Sequence, residues 1–180
     1  SHPVHILVNN TAGPNPGAAI NATGEQFLDT FQRHLLANHA LVQATVGGMK
    51  AAGYGRIVNV ISTSVKEPIK NLGVSNTIRG AVASWAKTLA GELAAHGITI
   101  NNVLPGFTRT QRLEQIIEER VAATGKTRAE IEAGMLASVP AARFAEAHEV
   151  AAAIAFLASP AAGYINGINV PVDGGRTQSL

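Results

Sequence analysis

Four short runs of apolar, largely β-branched residues punctuate this chain, and a stretch with helical periodicity separates each from the next. The runs are Val4–Val8, Arg56–Ile61, Ile98–Val103 and Ile168–Val172. They are too continuously apolar for strands with one wet face, so they predict strands covered on both sides. Strands that take turns with helices build βαβ units, and the order predicts an α/β fold on a parallel sheet.

The helical stretches carry their own punctuation. Thr23 stands three residues before Gln26, a capping-box spacing that opens a helix running to about Ala52. Phe27, Phe31, Leu35, Val42 and Val46 fall near one face of it, and Gly53-Tyr54-Gly55 ends it. After a loop with Pro68 and Gly73, a helix over Ser75–Ala95 is rich in small residues and closes at Gly97. Two amphipathic segments, Thr110–Ala123 and Arg128–Ser138, are divided by Gly125, and Glu146–Ala158 leads into the last strand.

Composition removes several functions. At 180 residues with 46% hydrophobic and 14% charged, the chain suits one domain with a real core. A net charge of +2 without a basic run gives no reason to expect nucleic acid. There is no cysteine, which excludes disulfides and thiol catalysis, and no metal-ligand cluster is visible. No apolar stretch reaches the roughly 18 residues of a membrane helix, and no signal peptide is visible, so a cytoplasmic protein without membrane contact is expected. The chain has no initiator Met and begins just before a strand. It therefore reads as part of a longer domain whose first strand lacks a neighbour.

Glycines follow the ends of the strands at Gly13, Pro105-Gly106 and Gly174-Gly175, the rim where open α/β sheets bind ligands. In order along the chain stand Asn9-Asn10-Thr11-Ala12-Gly13, Gly55 to Thr63, Ala86 to Leu93, Pro105 to Thr110, and Val172-Asp173-Gly174-Gly175. This ordered set resembles the short-chain dehydrogenase/reductase family, in its 3-oxoacyl-carrier-protein reductase-like branch. The resemblance spans essentially the whole chain, with one extra residue in the first motif. It implies a partial doubly wound Rossmann-type parallel sheet, a single partial domain over residues 1–180 and a helical substrate lid near 109–144.

The resemblance also implies a chemistry. Such proteins move hydride between NAD(P)H and a carbonyl or alcohol, using a serine, a tyrosine acid/base, a lysine four residues on and a helix asparagine. Ser62 matches the serine. The tyrosine and lysine positions fall at Ser75 and Arg79, and no tyrosine occurs between Tyr54 and Tyr164. The asparagine position falls at His34, with Asn38 a rival one helical turn on. A phenol near pKa ~10 is tuned for proton transfer, which a serine hydroxyl cannot match, and arginine keeps its charge. His34, with an ordinary pKa of ~6.5, could supply acid/base function; set against that stands, more strongly, a helix histidine satisfied by local hydrogen bonds.

The cofactor side is implied at Asn10, Gly13, Ile61, Arg79, Pro105, Gly106, Thr108 and Thr110. The glycine-rich first βα unit that cradles the diphosphate has no counterpart here. NAD or NADP is therefore expected in the complete protein and not on this chain alone. The 109–144 region carries Arg112, Arg120, Lys126, Arg128 and Arg143, which would suit an acidic or thioester-linked substrate, and Lys66 and Lys70 follow Ser62. The expected partners are a small-molecule carbonyl/alcohol substrate and a second copy of the chain, in a homo-oligomer (dimer or tetramer) packed through the helices at 24–52 and 75–95 with Trp85 as an anchor. Two functions stand: an oxidoreductase, probed by cofactor-dependent carbonyl reduction, or a non-catalytic binding or assembly module that has lost the tyrosine–lysine chemistry.

Overall fold

The computed structural model describes residues 3–179. Its centre is a four-stranded sheet of β1 (Ile6–Asn10), β2 (Gly55–Val60), β3 (Ile98–Pro105) and β6 (Asn169–Val172). These lie side by side in that order, all parallel. The α/β expectation holds. A second, two-stranded parallel piece, β4 (Thr108–Arg109) with β5 (Ala145–Glu146), was not legible in the sequence.

Helices cover both faces, as a doubly wound sheet requires. On one side pack α2 (Ala37–Ala52) and α3 (Gly73–Leu93), with Val42, Met49, Ala86 and Ala90 closing over Ile57, Ile98 and Ile100. On the other, α6 (Ala147–Ala158) sets Val150 and Leu157 against Val58 and Val103. Met49, Ile57, Ile98 and Ile100 are fully buried, each contributing on the order of 1.5–3 kcal/mol. α4 (Gln111–Thr124) and α5 (Arg128–Leu136) form a hairpin with a core of its own, built on Leu113, Ile117, Ile131, Met135 and Phe144.

Several boundaries shift by one to three residues, α3 for instance opening at Gly73 and not at Ser75, and two departures have identifiable reasons. The first strand was expected at Val4–Val8, with Asn9-Asn10 ending it, yet it runs Ile6–Asn10. Asn9 stays in the strand because its side chain has a partner: its amide donates to Asn59 at 2.8 Å, Asn59 to Asn102 at 2.9 Å, and Asn102 to Asn169 at 2.8 Å. Those four residues share one register across all four strands, so a polar ladder crosses the sheet. It ends at Asn9 Oδ1, buried without a partner on the outer edge of β1. The helix expected from Thr23 to Ala52 is also interrupted. α1 (Gly24–Phe31) opens at the Thr23/Gln26 capping box, but Gln32–Leu36 winds as a π-helix before α2 resumes. Such π segments gather at functional sites, and this one holds His34.

Candidate functional site

The C-terminal ends of β1, β2 and β3 open into a cleft of about 760 Å³, closed on the far side by the start of α4 and by α6. Its floor is made by Asn10 and Gly13 after β1, by Ile61 after β2, and by Pro105 and Gly106 at the end of β3. Thr108 and Thr110 continue the wall toward α4, and Arg79 enters from α3. All eight residues assigned to the cofactor side from sequence thus line one cavity. Thr11, Phe107 and Arg112 line it as well and were not singled out for it.

Local packing explains why the chain turns there. A side chain on Gly106 would put its Cβ 2.7 Å from the backbone of Asp173, and Gly106 N–H donates to Val172 O at 2.9 Å. Only glycine lets the β3 turn lie against the β6 turn so closely. The segment after β6 is pinned in place: Asp173 accepts from Gly175 N and Thr177 N, and Glu67 accepts from Gln178 N and Ser179 N. Between those anchors, Arg176 stacks over Phe107 at 4.6 Å and donates to Thr63 Oγ1 at 3.3 Å.

The four positions matched to catalytic residues are placed unequally. Ser62 directly follows the wall residue Ile61. Its Oγ accepts a hydrogen bond from Ser64 N at 3.1 Å, which leaves its own O–H free to donate. Ser75 lies on α3 one turn before Arg79 and is 9% exposed. Arg79 is 8% exposed, donates to Val60 O at 3.2 Å, and is held below its usual pKa, at about 10, by burial.

His34 departs from expectation. It is 2% exposed, and Thr11 Oγ1 lies 2.6 Å from its Nδ1. Burial first, and then the charge of Arg79, push its pKa down to about 4, with Arg33 adding a smaller push and a hydrogen bond to the Ala12 backbone opposing them. The imidazole is therefore neutral at pH 7 and does not supply a group titrating near neutrality. Its rival Asn38 is buried one turn further on. The five cations singled out in the 109–144 region are also not equivalent. Arg128 pairs with Glu114 and Glu132, and Arg143 with Glu149, while Arg112 stands on the cleft wall. Trp85, expected as an interface anchor, packs within its own chain against the α2/α3 core, its Nε1 donating to His39 at 3.3 Å.

The residues missed by sequence reasoning had a signal of their own. Thr11 is the extra residue in Asn9-Asn10-Thr11-Ala12-Gly13, and the ladder asparagines stand one per strand.

The profile of the family described as enoyl-(acyl carrier protein) reductase matches residues 2–177. The 3-oxoacyl-[acyl-carrier-protein] reductase FabG of Haemophilus influenzae is 36% identical over 174 residues, which cover 96% of this chain and 66% of that protein. The NADPH-dependent reductase BacG of Bacillus subtilis is 31% identical, over 97% of this chain and 68% of its own length. The chain thus spans about two thirds of the curated relatives it matches. Among solved structures, YwfH, described as an NADPH dependent reductase involved in bacilysin biosynthesis, superposes with a TM-score of 0.93 at 31% identity, over 99% of this chain and 68% of that one. Actinorhodin polyketide ketoreductase with NADPH gives 0.90 at 31% identity, over 98% and 68%.

Proposed function

The chain belongs to the short-chain dehydrogenase/reductases, and from that premise we propose that it serves an NAD(P)-dependent oxidoreductase acting on a carbonyl/alcohol pair of the 3-oxoacyl type. The observation that carries this reading is the convergence of Asn10, Gly13, Ile61, Arg79, Pro105, Gly106, Thr108 and Thr110 on one cleft beside Ser62. That wall fits the nicotinamide end of the cofactor. Ile61 and Pro105 offer apolar surface to a ring, while Asn10, Thr108 and Thr110 offer hydrogen bonds to amide and hydroxyl groups. When bound, the cofactor supplies or accepts the hydride.

The chain's own residues supply the rest. Ser62 donates its free O–H to the substrate oxygen. Arg79 brings a fixed positive charge to the same end of the cleft, and Ser75 adds a second hydroxyl one turn away. The α4–α5 hairpin, over residues 109–144, serves as the substrate lid. The test, run on the complete protein in which the cofactor is expected, is consumption of NADPH with a 3-oxoacyl thioester. A Ser62→Ala variant should lose at least about tenfold in kcat/KM while binding NADPH as before. An unchanged rate in that variant would remove Ser62 from the reaction.

A second reading has specific support. Ser75 and Arg79 replace the acid/base pair, and His34 is locked neutral, which suits a binding or assembly module without chemistry. Absence of turnover with retained ligand binding would select it. For assembly, we propose a homo-oligomer, dimer or tetramer, through α1–α2 and α3. Leu36 and Leu41 are 45% and 49% exposed, and Gly80 and Gly91 face open space. No described helix is long and apolar enough to cross a membrane, and a cytoplasmic location remains a proposal.

A further inference from the structure

We propose that the C-terminal strap, residues 176–179, holds Ser62 in its working orientation, with Arg176 as the positioning residue. The consequence for catalysis rests on the oxidoreductase reading; the coupling between strap and serine does not.

Ser62 stands at the N-cap of a single 3-10 turn, Thr63–Val65. That turn sets the direction of its side chain: Ser62 Oγ accepts from Ser64 N at 3.1 Å, and Ser62 O accepts from Val65 N at 3.2 Å. The turn closes where Lys66 N and Glu67 N both donate to Thr63 O, at 2.9 and 3.1 Å. One turn of 3-10 helix has few bonds and poor bond geometry, so it keeps a fixed shape only when something outside it holds it.

The strap holds it at both ends. At the start, Arg176 Nη1 donates to Thr63 Oγ1 at 3.3 Å, and Thr63 is buried. At the finish, Glu67 Oε1 accepts from Gln178 N at 2.7 Å and from Ser179 N at 2.8 Å. Thr63, Glu67 and the strap thus form a closed circuit around the residues that follow Ser62.

Arg176 also reaches the substrate side. Its guanidinium lies over the ring of Phe107 at 4.6 Å, and Phe107 lines the cleft. Phe107 in turn meets Phe144 edge-on at 6.3 Å, in the core of the α4–α5 hairpin. One side chain therefore touches both the turn after Ser62 and the wall of the cleft. Stability alone does not select arginine here. Its Nε is buried without a partner, and none of the ion pairs among the described residues includes it. A buried unpaired N–H is a cost that an apolar side chain of similar length avoids. What arginine adds is a flat cation that stacks on an aromatic ring while its edge donates to a hydroxyl.

Two measurements test this. On the chain itself, amide hydrogen exchange at Ser64 reports the bond to Ser62 Oγ. Arg176→Met should speed that exchange at least about tenfold and leave Val58 and Val103 in the sheet unchanged. On the complete protein, with NADPH and a 3-oxoacyl thioester, Arg176→Met should lower kcat about three- to tenfold and keep the KM for NADPH within about twofold. Thr63→Val, which removes the acceptor, should match it, and Thr63→Ser, which keeps one, should recover most of that loss. In a Ser62→Ala background, Arg176→Met should cost less than about twofold, because a residue that acts through Ser62 then has nothing to position. Unchanged exchange at Ser64, an unchanged kcat, or an equal loss with and without Ser62 would each overturn the proposal. The Thr63 pair carries the same test if Arg176→Met misfolds. The two readings fail separately. Faster Ser64 exchange in a protein that never consumes NADPH removes the oxidoreductase and keeps the strap's hold on Ser62. Full turnover by Arg176→Met does the reverse.

Discussion

The hydroxyl of Thr11 lies 2.6 Å from Nδ1 of His34, joining the loop after β1 to the π segment between α1 and α2. The imidazole's contact with the Ala12 backbone anchors the same loop from a second point. The pair braces the loop against the helix, while burial and the charge of Arg79 keep the imidazole neutral.

A pH dependence of stability follows. The folded pKa of His34 is about 4 against an ordinary 6.5, so the unfolded chain takes up the proton first. His34 should leave stability unaffected above about pH 7 and erode it as the pH falls through the interval between those values, by up to about 3 kcal/mol. Urea unfolding of the native chain and His34→Asn across that interval measures it. Parallel curves for the two would show that the histidine is not held neutral.

Rebuilding the missing pair tests whether chemistry was lost at Ser75 and Arg79. A positioned general acid contributes about 10²–10⁴ in rate. The double variant Ser75→Tyr, Arg79→Lys should therefore raise kcat/KM for NADPH-linked reduction of a 3-oxoacyl thioester by about 10² or more, read from steady-state kinetics. No gain in a folded double variant would mean that these two positions do not limit the reaction.

The asparagine ladder makes position matter within one residue type. Asn59→Ala strands the amide of Asn9 and the carbonyl oxygen of Asn102 in the interior, costing about 2–4 kcal/mol. Asn169→Ala, at the half-buried end, strands one group and should cost about 1 kcal/mol. Denaturant midpoints compare them directly, and equal losses would show that the ladder is not a connected unit.

Oligomerisation is tested at Gly80 and Gly91, where an added Cβ meets nothing within 4 Å. On an isolated chain, alanine at either site should stabilise α3 by about 0.5–1 kcal/mol. In an assembly where helix backbones approach at these glycines, the same changes weaken association. Sedimentation at several concentrations, beside thermal unfolding, separates the outcomes; a stabilised variant with unaltered mass would place the interface elsewhere.

The glycine turns and the strand–helix order were legible because they depend on local rules. Gly106 must be glycine wherever two turns cross so closely, and Pro105-Gly106 announces this in the chain. Asn9 was misread as a strand terminator because its polarity counts against a strand unless a neighbour supplies Asn59. The role of His34 stayed open between acid/base group and locally satisfied helix histidine for the same reason: an imidazole's pKa is set by burial and nearby charge, and neither is written in its own segment.

The amino-acid order by itself determined the α/β class, the parallel strand sequence, the helix caps and the family's ordered motifs, since each follows from spacing, turn chemistry and hydrophobic period within a few residues. Only the tertiary structure decided that the asparagines of four strands share one register, that burial and the charge of Arg79 hold His34 neutral, and that Arg79 is buried beside a cleft without a carboxylate. Those facts are sums over residues far apart in the chain, and dielectric environment and hydrogen-bond partnership exist only once the fold has brought them together.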